Sequence, residues 1–165
     1  MKNRSVNILI VALCLLIVLS VTLAIFIEKA RQDFEGDLRV SANGVTEKIF
    51  VVRELSLNPT ESRDYTVNLL CAASGVYNLT LDYNETRDGG MKDHVVVTMT
   101  LGDELIYTGT LANLLQDGVS VQTVCTLEEK DPIPLKVHYE MPHHIGNEAQ
   151  GTSADFKISL AIKKA

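Results

Sequence analysis

The 165-residue chain contains no His-Glu-x-x-His, no Gly-x-Ser-x-Gly and no Gly-x-x-x-x-Gly-Lys. The local signatures of a zinc peptidase, a serine hydrolase elbow and a phosphate-binding loop are therefore missing. An excess of basic residues is missing too: 15 Lys+Arg stand against 21 Asp+Glu, for a formal net charge of −6. Nucleic acid and anionic lipid headgroups are bound through Lys/Arg patches, and none is visible, so neither is expected as a partner. No tandem repeat or low-complexity tract occurs. Helical periodicity is almost absent, and only residues 110–115 suggest a single turn, capped by Thr110 with Leu111, Leu114 and Leu115 packing down. Cysteine is scarce, at three residues.

What the chain does have is one uncharged, mostly aliphatic run, residues 8–27, behind Lys2 and Arg4. At about 1.5 Å rise per residue this run is about 30 Å long as a helix, the hydrocarbon thickness of a bilayer. It reads as a signal peptide or a transmembrane anchor, with the amino terminus inside and the remaining 138 residues delivered outside the cytoplasm. No acidic residue lies in the first 27, so the exported part carries 13 Lys+Arg against all 21 Asp+Glu. Its length suits one domain with a real core.

Beyond the run, apolar and polar residues alternate with period two, the pattern of half-buried strands. Ile133, Leu135, Val137, Tyr139 and Met141 share one face, and Phe156, Ile158, Leu160 and Ile162 repeat the pattern near the end. Further strands are expected over 38–42, 48–55, 64–71, 76–83, 94–101, 104–108 and 119–127, nine in all. Turn formers separate them, among them Asn43-Gly44, Asn58-Pro59, Gly102-Asp103 and Asp131-Pro132. The expected fold is an all-β, jelly-roll-like β-sandwich of about nine strands, preceded by one amino-terminal hydrophobic helix. Pro132 and Pro134 bracket Ile133, which predicts a sheet edge or the start of a strand there, because proline donates nothing to a ladder. An open edge is a template for an added strand from another chain.

Candidate chemistry is sparse. Cys14 lies in the apolar run; Cys71 and Cys125 continue inward-facing series, and are read either as a disulfide in an oxidising compartment or as two buried thiols. His143, His144 and Glu148, near Pro142 and Gly146, are the weak candidates for a zinc-like metal. The oxygen-bearing series Asp82, Asn84, Glu85, Thr86, Asp88 and Asp93 loosely follows a calcium loop, with Arg87 where that loop needs glycine. No catalytic residue and no cofactor is assigned.

Taken together, several segments resemble the TasA/camelysin family of exported Gram-positive cell-surface and biofilm-matrix proteins. They are Thr22-Leu23-Ala24-Ile25-Phe26, Phe34-Glu35-Gly36-Asp37-Leu38-Arg39-Val40, the stretch from Leu55 through Asn58-Pro59 to Tyr65-Thr66-Val67, and the tail from Tyr139-Glu140-Met141-Pro142 through Gly146-Asn147-Glu148 to Asp155-Phe156. The resemblance implies a jelly-roll sandwich, processed by a dedicated signal peptidase, that stays at the cell surface or assembles into fibres with copies of itself by donor-strand exchange. The donor segment it implies runs from Ile25 to Gly36 and contains Ile25, Phe26, Ile27, Phe34 and Gly36; the chain then divides into the leader over 1–27, a linker or donor-strand segment over 28–36 and a sandwich over 37–165. The family also admits a metalloprotease, for which His143, His144 and Glu148 are the residues to test. The expectation is a non-enzymatic structural protein of the surface or matrix, with a membrane-anchored ligand- or calcium-binding module as the alternative.

Overall fold

The computed structural model describes residues 34–42, 44–116, 120–146 and 149–165, all within the compact unit Asp33–Ala165. The leader at 1–27 and its expected helix lie outside the described residues. Among the described residues no helix is long and apolar enough to cross a membrane.

Nine strands and one short helix follow in order: β1 (Gly36–Val40), β2 (Val45–Leu55), β3 (Ser62–Cys71), β4 (Gly75–Gly89), β5 (Val96–Leu101), β6 (Glu104–Thr110), α1 (Leu111–Leu115), β7 (Ser120–Leu127), β8 (Ile133–Glu140) and β9 (Ser153–Lys164). They form a β-sandwich of two sheets, ordered β1-β3-β8-β5-β6 and β2-β9-β4-β7. Most consecutive strands change sheet, so pairings such as β2–β9 and β3–β8 join residues far apart in sequence and are antiparallel. The β1–β3 pair is parallel.

Period-two alternation is what drives this arrangement, since each strand turns one row of apolar side chains inward. In β8, Leu135, Val137 and Tyr139 are buried while Lys136, His138 and Glu140 face out; in β9, Ala154, Phe156, Ile158, Leu160 and Ile162 are buried. The inner faces meet in one core cluster. A belt of rings bridges the sheets there: Tyr139 of β8 lies 5.7 Å from Tyr65 and 5.8 Å from Phe156, and Phe156 stacks on Tyr83 at 5.7 Å. The Tyr83 and Tyr139 hydroxyls, 3.3 Å apart, share a hydrogen bond, so each buried phenol has a polar partner. α1 is the expected connector, with the Asn113 N–H donating to Thr110 Oγ1 at 3.3 Å.

Of the two places expected for Pro134, a sheet edge or the start of a strand, the structure shows the second: β8 begins at Ile133 and is central, between β3 and β5. The proline sits at the second residue of β8, opposite Asn68, where its missing N–H is tolerated as at any strand start, and its carbonyl accepts from Gly102 N–H at 2.8 Å. β4 also runs past the expected Tyr83 to Gly89, paired with the first half of β9 through a register shift between Glu85 and Arg87.

Candidate interaction surface

The amino-terminal segment is already a strand laid along a sheet edge. Phe34 is fully buried, its ring 4.6 Å from that of Phe50 on β2 in an edge-to-face contact. Gly36 follows at φ +103°, a conformation that side chains rarely adopt, and this lets the chain turn from Phe34 into β1. There Gly36 to Val40 pair with Val67 to Cys71. Leu38 and Val40 point inward, and outside Asn68 Nδ2 donates to Asp37 Oδ1 at 3.0 Å. Of the implied donor segment, Phe34 and Gly36 are thus docked into their own fold; Ile25, Phe26 and Ile27 lie outside the described residues.

The sandwich has four outer strands. β1 is short and carries Asp37 and Arg39. β6 shifts register against β5 between Met99 and Thr100. β2 carries Glu47, Lys48, Arg53 and Glu54, and its register against β9 breaks between Val52 and Leu55. Within that break Glu54 has φ 52° and its N–H donates to Asp155 Oδ1 at 2.8 Å. Charges and bulges of this kind blunt an edge against unwanted pairing. β7, Ser-Val-Gln-Thr-Val-Cys-Thr-Leu, has none of them: no charge, proline or glycine, and an unbroken register against β4. The large apolar side chains left most exposed lie on β2 (Val45, Ile49) and around β7 (Val124, Val76 and Leu105).

The remaining candidates resolve as follows. Cys71 and Cys125 are both buried and stand as free thiols in the structure. Tyr77 occupies the space between their strands: its hydroxyl donates to Ala73 O at 2.7 Å and accepts from Cys71 Sγ at 3.0 Å, while Cys125 Sγ approaches Tyr77 O at 3.7 Å. The contact with Cys71, aided by burial, pushes the Tyr77 phenol up to about 12; burial raises the Cys125 thiol. His143 and His144 are exposed on the loop after β8, rings edge to face at 5.9 Å, and Glu148 lies outside the described residues. Among the described residues no three His, Cys, Asp or Glu side chains gather to hold a metal ion.

The calcium-loop reading fails on geometry. Asp82 and Asn84 lie within β4 with their side chains outward, and Glu85 and Asp88 are both engaged by Lys92, each at 2.9 Å. Asp88 and Glu85 hold the Lys92 ammonium above its ordinary range, and Lys92, with the Gly90 N–H, holds the Asp88 carboxyl below its own. This triad, which the sequence reading did not single out, ties the end of β4 to the turn before β5. The Lys92 carbonyl also accepts from Ala112 N–H of α1 at 3.0 Å, and a cleft of about 350 Å³ lies between Lys92, Glu85 and α1. A second missed pair, Asp64 Oδ1 and His138 Nδ1 at 2.7 Å, joins β3 and β8 on the outer face. Both pairings are cross-strand or cross-turn, which alternation alone does not reveal.

Fold and edges together define a two-sheet β-sandwich whose outer strands present main-chain hydrogen-bonding groups. No family model matches the chain, and no curated protein does. Among solved structures it is similar to FLHE (14% identity, covering 74% of this chain and 99% of that one, TM-score 0.42). It is also similar to the C-terminal domain of EclA, a sugar-binding protein (16% identity, 76% and 83%, TM-score 0.41). A β-glucosidase from Paenibacillus barengoltzii matches at 14% identity and TM-score 0.35 over 78% of this chain, which spans 11% of the glucosidase. Each likeness concerns the course of the chain and carries nothing about activity.

Proposed function

We propose that this chain is an exported structural protein of the cell surface or biofilm matrix, of the TasA/camelysin kind. It reaches the outside through residues 8–27 and works by joining copies of itself, not by turning over a substrate. The observation that carries the reading is the docking of Phe34 and β1: the segment just after the leader is an edge strand anchored by one buried ring. A strand held in this way completes its own sheet in a lone subunit, and the same contacts are available to the equivalent strand of a neighbour once β1 leaves them. Main-chain ladder bonds to β3 and the Phe34 ring on Phe50 would supply the binding free energy.

The experiment is amino-terminal sequencing of the exported form followed by electron microscopy over a concentration series. The reading expects the chain outside the cytoplasm, freed of its leader when it polymerises. An intact amino terminus with no polymer at any concentration overturns assembly by strand exchange.

A further inference from the structure

We infer that the free edge of β7 is a self-pairing interface: two copies join β7 to β7, antiparallel, across a two-fold axis, making one eight-stranded sheet from two four-stranded ones. The inference concerns the edge of the other sheet from β1, and stands whether or not the amino-terminal strand is exchanged. Its first support is the contrast among the outer strands. β7 is the one described edge that combines eight residues, unbroken register and no charge, so nothing in it resists an added strand.

The second support is that β7 matches itself. Val121, Cys125 and Leu127 are buried on the inner face, and Gln122, Val124 and Thr126 alternate with them on the outer. Antiparallel pairing keeps opposed residues on the same face. Placing the dyad at Val124 sets Val124 against its own copy, Gln122 against Thr126, Thr123 against Cys125 and Val121 against Leu127. Apolar meets apolar or small, polar meets polar, and no like charges are opposed anywhere in the seven-residue ladder. Along the dyad row the nearest ionic side chain is Lys163, two strands away past Asn78. Val124 is 62% exposed, and the pairing would set it against its own copy. Beside the edge at Val124, Cys125 and Thr126 lies a groove of about 600 Å³, lined also by Leu101, Pro132 and the acidic Asp103 and Glu104 at the β5–β6 turn. Isologous two-fold contacts of this type are the commonest way for a chain to meet its copy.

The test is cysteine cross-linking of the full chain in its membrane or in detergent, with Cys14→Ser to remove the thiol in the apolar run. Val124→Cys places two thiols across the dyad and is expected to give a covalent homodimer under mild oxidation. Asn78→Cys, exposed one strand away on the same row, is the control and is expected to give little. Gln122→Cys with Thr126→Cys checks the register and is also expected to cross-link. Val124→Lys, which opposes two ammonium groups, is expected to raise the dimer dissociation constant in sedimentation by about fivefold. The inference is overturned if Val124→Cys gives no more homodimer than Asn78→Cys, or if it cross-links to a different protein in place of itself.

Discussion

The two outer strands of the four-stranded sheet, β2 and β7, face opposite ways out of the same sheet and are built differently. β2 is long, studded with four charges, broken by a bulge pinned on Asp155, and capped from within by the Phe34 ring. β7 is shorter, neutral and regular. Two edges of one sheet under the same aggregation hazard would be expected to carry similar defences. That one is defended and the other left plain suggests that they serve different ends, β2 as a boundary and β7 as a seam.

The change with the largest expected effect attacks the defended side. Phe34→Ala removes a fully buried ring from Phe50 and is expected to cost about 3–5 kcal/mol in urea unfolding, the usual range for such truncations. A loss under about 1 kcal/mol would mean that the segment before β1 is not anchored to β2.

Alkali tests the side of β7, because Tyr77 lies opposite Cys125 in the β4–β7 ladder. The Tyr77 phenol is raised to about 12 in the fold, against about 10 for an ordinary tyrosine. A raised acid favours the folded state fully below its unfolded value and loses that contribution as pH climbs through the folded one. Stability is therefore expected to fall between about pH 10 and 12. Tyr77→Phe is expected to flatten that limb in thermal melts taken across the range. Tyr83 and Tyr139, raised chiefly by burial, should ionise only on unfolding, seen as a jump in phenolate absorbance.

A smaller effect is expected at the bulge. Asp155→Ala removes the acceptor for Glu54 N–H and is expected to destabilise by about 1 kcal/mol, with faster aggregation as β2 straightens. Smallest of all, Val124→Lys on β7 should change monomer stability by no more than about 0.5 kcal/mol, since the site is exposed. A large loss there would show β7 to be a structural strand like β2, and the contrast would collapse.

Much of this fold was legible in the sequence. All nine strands appear where alternation places them, and Thr110 caps α1 as its hydroxyl predicts, because burial of one face imposes a period that survives in the residues. The far end of β4 was not legible: Glu85 to Asp88 are polar on both faces, and that stretch is held by pairing with β9 rather than by burial. Pro134 marked the start of β8 as expected, but a proline's missing N–H is equally compatible with an edge and with a strand start, so it could not tell that β8 is central. The parallel pairing of β1, the Lys92 triad and the neutrality of β7 as an edge depend on which strands become neighbours, and sequence separation hides that.

Under the proposed function, β1 is the strand that subunits would share. Asp37 and Asn68 are register partners on the outer face of β1 and β3, so Asp37→Cys with Asn68→Cys allows the strand to be locked to its own sheet by oxidation. Electron microscopy of the exported double variant, oxidised and then reduced, is the direct measurement. Polymers that form only after reduction are the predicted result; polymers that form equally well with the lock closed would contradict it.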